Sequence, residues 1–217
     1  MLKIDAGCGS AKKEGFVGVD IEKFPGVDHV LDLSREKMPF PDKSADYFYS
    51  AHFLEHVEDP VFFLNEVSRV AADGATIEFW TPYGFHRNAF LHGHRMFYTP
   101  EFWYHICTLY PDFWTGQIGG VRWHLEKIKY IVLKEAEKEI VSAGIPMGFA
   151  IKYFKDLVPE FGVYMRIDRS GKKTIVPRET FSYSREGEEF PLSGGFYSDP
   201  SLFSFRGIKK RLFRLFK

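Results

Sequence analysis

Residues 1–20, MLKIDAGCGSAKKEGFVGVD, read as a buried strand, a glycine turn and a second strand that closes on a carboxylate. Residues 2–6 are short and mostly apolar, and they lead into Gly7-Cys8-Gly9-Ser10. The two glycines there permit backbone conformations that a Cβ disfavours and let a ligand come close to the main chain. Residues 15–21 are again rich in β-formers and put Asp20 at the carboxyl end of the second strand, the end at which open α/β sheets bind ligands. A carboxylate in that place can accept bonds from ribose hydroxyls.

A dinucleotide-binding unit is the obvious alternative, and two details argue against it. The turn runs G-x-G-S-A-K rather than G-x-G-x-x-G, and only about six residues separate Gly9 from the second strand, too few for the crossover helix whose N-terminus holds a pyrophosphate. A ligand without phosphates fits better.

Residues 2–21 resemble the first motif and second strand of class I S-adenosylmethionine (SAM) dependent methyltransferases, and four further segments stand in that family's order. Val30-Leu31-Asp32-Leu33 resembles the segment that contacts adenine, and residues 38–46 (MPFPDKSAD) resemble the lead into the fourth strand. Residues 53–60 (FLEHVEDP) resemble the LEHV-x-D-P segment, and residues 70–75 (VAADGA) stand where the family has a leucine-lysine-proline-glycine-glycine turn. The likeness is close over residues 1–82 and loose over 83–170. It implies an α/β, Rossmann-like methyltransferase fold: a mostly parallel central sheet with an antiparallel last strand and, in this chain, an abbreviated N-terminal half. It further implies SAM as cofactor, bound by Asp5, Ala6, Gly7, Cys8, Gly9, Asp20, Ile21, Asp32, Leu33 and Ser50, with Asp5 positioning the methionine end.

The 217 residues suffice for one domain with a sizeable core and are tight for two. Basic and acidic residues balance to a net charge of zero, so no global field marks nucleic acid as a partner. Cys8 and Cys107 are the only cysteines and form no CxxC motif, which points to a reducing compartment without a disulfide framework. No signal peptide or membrane-spanning apolar run is visible, so a cytoplasmic protein is expected. The chain opens directly on a strand, and the first two strands have no helix between them. Part of one sheet face then needs cover from later segments or a partner, which suggests a homodimer.

Further along, residues 27–33 read as a third strand, 46–50 as a fourth and 75–81 as a fifth. Asp59-Pro60 opens a helix that Asp73-Gly74 is expected to end. Thr99-Pro100 opens another over 101–109; residues 123–133 and 161–168 read as the last strands, 134–143 as a charged helix or an extension, and 147–158 as a helix. The methyltransferase domain is placed at 1–170. Residues 171–217 are assigned to an extended tail ending in a basic amphipathic stretch, 206–217 (RGIKKRLFRLFK), suited to an anionic bilayer, a nucleic-acid backbone or an acidic partner, or else to docking on the protein's own sheet.

The block from Tyr83 to Trp114 carries His86, His92, His94, His105, Arg87 and Arg95 among many aromatics, where the fold class supplies acceptor-binding elements. It reads equally well as a packed subdomain. His52 and His94 are the candidate bases for an oxygen nucleophile, since histidine titrates near neutrality. His52 and His56 form an HxxxH pair, but zinc needs a third ligand that only a loop carrying His92 or His94 can bring, and no metal is expected. The chain lacks the D/N-P-P-Y/F signature of nucleic-acid methyltransferases: Thr81-Pro82-Tyr83 is no match. The expected activity is methyl transfer, as O-methylation, to a small-molecule or sugar/glycan acceptor; the alternative is a non-catalytic methyltransferase-like binding or assembly module.

Overall fold

The structure, a computed structural model, describes residues 1–171 and 180–185. β1 (Leu2–Ala6) pairs in parallel with β2 (Val17–Asp20), Ile4 lying opposite Val17 and Ala6 opposite Val19. β3 (His29–Val30) is a short strand beside β2, and β4 (Ala45–Ala51) and β5 (Ala71–Pro82) extend the sheet from the other side of β1. β6 (Arg122–Val132), β7 (Glu160–Asp168) and β8 (Thr180–Arg185) complete the order β3-β2-β1-β4-β5-β7-β6-β8. β7 runs antiparallel to both its neighbours and the other pairs are parallel, as the resemblance implied. β8 is drawn from the stretch assigned to the extended tail, while residues 206–217 lie outside the described residues.

Helix α1 (Pro60–Val70) begins where the sequence placed it: Asp59 accepts the Val61 amide at 2.9 Å, and Pro60 occupies the first turn, where its missing N–H costs nothing. The helix nevertheless stops at Val70, and Asp73-Gly74 sits in β5, where the pairing with β4 shifts register. Its last-turn carbonyls take partners from outside the helix, which accounts for the early stop. Lys43 and Ser44 donate their amides to Arg69 and Val70 at 2.9 and 2.8 Å, and the Arg169 guanidinium bonds the carbonyls of Ser68 and Ala71. These partners come from far along the chain.

Other boundaries moved for similar reasons. Only His29–Val30 of the expected third strand pairs with β2, because Asp28 turns back to take the Gly18 amide at 2.7 Å and Asp32 folds onto the Ser34 amide. The helix expected over 101–109 is α2 (Pro100–Tyr104) running into a π-helical turn (His105–Leu109), followed by α3 (Pro111–Gln117). α4 (Lys134–Ser142) matches its expectation, whereas α5 (Met147–Tyr153) ends short of Val158. Pro159 disfavours a helical Val158, and Leu157 instead accepts the Leu133 amide at 3.0 Å.

Buried apolar residues of α1, α2, α4 and α5, such as Phe63, Trp103, Ile140 and Ile151, join the main core with Ile4, Phe48, Ile77 and Val163 from the sheet. The opposite face carries a smaller cluster around Tyr49, Trp80 and Ile131, with Phe16, Tyr47 and Tyr164 packed on it. Among the described residues no helix is long and apolar enough to cross a membrane.

On that second face Gly162 lies opposite Trp80, and a Cβ on it would come 2.5 Å from Trp80 Cε2. The indole has little room to yield, since its Nε1 donates to Glu78 at 2.8 Å and its ring meets Tyr164 edge-on. Alanine in a strand interior ordinarily gains about 0.5–1 kcal/mol over glycine. Gly162→Ala should instead lose about 1–3 kcal/mol through overpacking, seen as a lower urea midpoint; a raised midpoint would contradict this packing.

Candidate active site

The carboxyl ends of β1, β2 and β4 carry Asp5 to Gly9, Asp20 with Ile21, and Ser50, while Asp32 and Leu33 follow β3. Gly7 and Gly9 have φ of 71° and 54°, and a Cβ on Gly7 would collide with the Phe53 side chain, so glycine is required there on two counts. The Gly7 amide donates to the Val19 carbonyl at 2.8 Å, and Asp20 holds the turn from the next strand by accepting the Gly9 amide at 2.8 Å. The other Asp20 oxygen takes the Glu22 amide at 3.0 Å, and Ile21 beside it is exposed. Ser50, buried at the end of β4, donates to the Ala6 carbonyl at 2.8 Å.

Asp5 is almost fully buried and accepts the Lys13 amide at 2.7 Å. Burial dominates its titration and pushes its pKa up to about 6, against the opposing pull of Lys13. Cys8 is likewise buried, and its thiol is pushed up to about 12, which removes it as a nucleophile. Asp32 differs: burial would raise it, but the Ser34 amide and hydroxyl and the Arg35 guanidinium hold it below the usual carboxylate value. Leu33, next to it, is buried.

These groups suit SAM. The glycine turn offers close approach, two carboxylates suit a ribose diol and an ammonium group, and residues 10–16 contain no helix whose N-terminus would take a pyrophosphate.

His52 and Glu55 follow β4, and Glu160 opens β7. His52 has a φ of 54°, uncommon for a residue with a Cβ. Its Nε2 lies 2.6 Å from Glu160 Oε2 and its Nδ1 3.2 Å from Glu55 Oε1. Burial alone would strip its proton, but the Glu160 and Glu55 carboxylates reverse that and raise its pKa to about 10, so at neutral pH it is an imidazolium. His94 is the opposite case: burial holds it below the ordinary histidine value, and its Nδ1 sits 3.0 Å from the Ala89 carbonyl.

The loop after β5 reaches this corner because the Arg95 and Met96 amides both donate to the Glu55 carbonyl, at 2.7 and 3.2 Å. The other residues singled out in that block separate. His86 caps a short 3-10 turn through Asn88, His92 is exposed, His105 accepts from Trp114, and Arg87 pairs with Asp156. Sequence reasoning missed Glu160. Nothing local marks it, since its partner His52 lies 108 residues earlier.

Residues 4–79 match the family model described as a methyltransferase domain. A stretch of 40 residues is 50% identical to ajmaline N-methyltransferase of Rauvolfia serpentina, spanning 18% of this chain and 14% of that enzyme. A SAM-dependent methyltransferase from Archaeoglobus fulgidus superposes with a TM-score of 0.52 at 17% identity, over 76% of this chain and 86% of that one. One from Aquifex aeolicus gives 0.44 at 17% identity, over 76% and 81%. The domain match runs from β1 into β5, and the Archaeoglobus fulgidus structure shares the fold beyond it.

Proposed function

We propose that the protein transfers the methyl group of SAM to a hydroxyl of a small-molecule or sugar-containing acceptor that enters between the glycine turn and the loop after β5. The observation that carries this reading is that His94 Nδ1 is engaged by the Ala89 carbonyl, which keeps its Nε2 out of that bond and available to an acceptor. SAM supplies a methyl group on a sulfonium, a good leaving group, so the residues here need chiefly to bind, orient and handle the hydroxyl proton. Asp20 serves the ribose, and Asp5 the methionine ammonium. His52 has both nitrogens engaged by carboxylates, so its part is that of a fixed positive charge, and the hydroxyl proton falls to the His94 corner. The short likeness to an N-methyltransferase favours an amine as the second reading.

The sheet face that carries no described helix supports the homodimer, and the basic pattern of residues 206–217 supports peripheral contact with an anionic membrane.

Incubation with methyl-labelled SAM and fractionated cell extract tests the activity. Label in a glycan or small-molecule fraction is expected, and none in any fraction would leave the binding-module alternative. Against the labelled fraction, His94→Ala should lower turnover about 100-fold with SAM affinity unchanged. An amine acceptor would instead show lost acceptor affinity at near-normal turnover.

Calorimetry tests the cofactor residues. Asp20→Ala should weaken SAM binding by about 1.5–3 kcal/mol, and unchanged affinity would remove Asp20 from the site. Asp5 is neutral below its pKa of about 6 and charged above it, and only the charged form attracts an ammonium. SAM affinity should therefore rise as pH increases from 5 to 7, and this rise should vanish in Asp5→Asn.

A further inference from the structure

The geometry points to a transition-metal site formed by Glu55, His56 and His94, which takes a divalent ion of the zinc or iron(II) kind. One potential ligand atom from each of the three lies within 4.8 Å of the other two. The sequence pair His52 and His56 is divided by the fold: His52 turns to Glu160, while His56 meets His94 from the loop after β5, their rings 4.9 Å apart and nearly perpendicular.

Three further observations agree with a cation there. Glu55 is 1% exposed; the His52 imidazolium meets its Oε1 at 3.2 Å, but its Oε2 has no partner. A buried carboxylate oxygen left in that state is costly, and a second cation beside it would offset that cost. Next, each histidine has its Nδ1 against a backbone carbonyl, His56 at 3.2 Å from Gly93 and His94 at 3.0 Å from Ala89. That arrangement places the ring proton on Nδ1 and leaves the Nε2 lone pair for a metal, as the outer partners of metal-bound histidines do. Finally, the Arg95 and Met96 amides clamp the His94 loop onto Glu55 through its carbonyl. The two ligand-bearing segments are thus joined by bonds of their own.

The donor set selects the ion. Two imidazoles and one carboxylate suit zinc, iron(II) or cobalt(II), whereas magnesium and calcium favour all-oxygen sites. Burial runs from Glu55, inside, through His94 to His56, which is exposed, so the site opens on one side. Three protein ligands with an open position is the form of a catalytic site.

The role of the ion, though not the site, rests on the proposed transfer to oxygen. An acceptor hydroxyl in the open position becomes more acidic and releases its proton to solvent water. The oxygen then forms its bond to the methyl carbon as the carbon–sulfur bond breaks. The electron pair stays on sulfur, and the products are the methyl ether, S-adenosylhomocysteine and one proton. His94 then acts as a ligand in the corner to which the hydroxyl proton was assigned.

Binding is read without SAM or acceptor. Tag-free full-length protein is stripped with EDTA, dialysed and titrated with zinc chloride by calorimetry and with cobalt(II) by visible absorption. One ion per chain is expected, with cobalt bands typical of nitrogen and oxygen ligation. His56→Ala, an exposed position where folding is not at stake, should weaken binding at least about tenfold, and Glu55→Gln should do the same. His92→Ala, an exposed neighbour outside the cluster, should bind as the parent does. No saturable binding, or full affinity in His56→Ala, would overturn the site. Methyl transfer that persists in stripped protein and in His56→Ala would refute the ion's role and leave the transfer itself standing.

Discussion

The buried contact of His52 with Glu55 and Glu160 joins the parts of the molecule that must work together. It ties the end of β4 to the turn after it and to the start of β7, strands separated in the sheet by β5. Burying charge is expensive, and attraction offsets that cost only where every member is well placed. Here two carboxylates face one imidazolium, and three of the four carboxylate oxygens make no hydrogen bond. The corner is therefore under-supplied with positive charge and donors. That imbalance gives the corner a preference for cations or hydrogen-bond donors before any ligand is considered.

Much of the glycine turn and its flanking elements was legible in the sequence because their determinants are local. Gly7 and Gly9 need positive φ, Asp20 needs only to end its strand near them, and Asp59-Pro60 specifies a helix start within three residues. What escaped was decided by partners far along the chain. α1 ends at Val70 because Arg169 reaches its carbonyls, α5 ends early because Leu157 answers Leu133, and His52 is charged because of Glu160. Reading His52 as a free base was reasonable for an isolated imidazole, and the correction required two carboxylates whose approach no spacing announces. The HxxxH spacing likewise suggested a shared face, yet the fold sends its two histidines to different neighbours.

The short loop between β1 and β2 shows how cofactor choice and sheet cover are linked. A crossover helix there would do two jobs, shielding the second face and aiming its N-terminus at a phosphate. This loop does the first with side chains. Lys13 Nζ lies 3.7 Å from the centre of the Tyr49 ring and 3.3 Å from Glu78, and Phe16 meets Tyr47 and Tyr49 edge-on. Contacts of that kind contribute about 0.5–2 kcal/mol each, enough to fix a loop against a sheet. The Lys13 backbone amide meanwhile donates to Asp5, so one residue both covers the aromatic face and orients the carboxylate beside the glycine turn. The second job has no counterpart in the loop, and a cofactor carrying ammonium and sulfonium groups does not call for one. Asp5 and Asp20 present negative charge where a nucleotide phosphate would need the opposite.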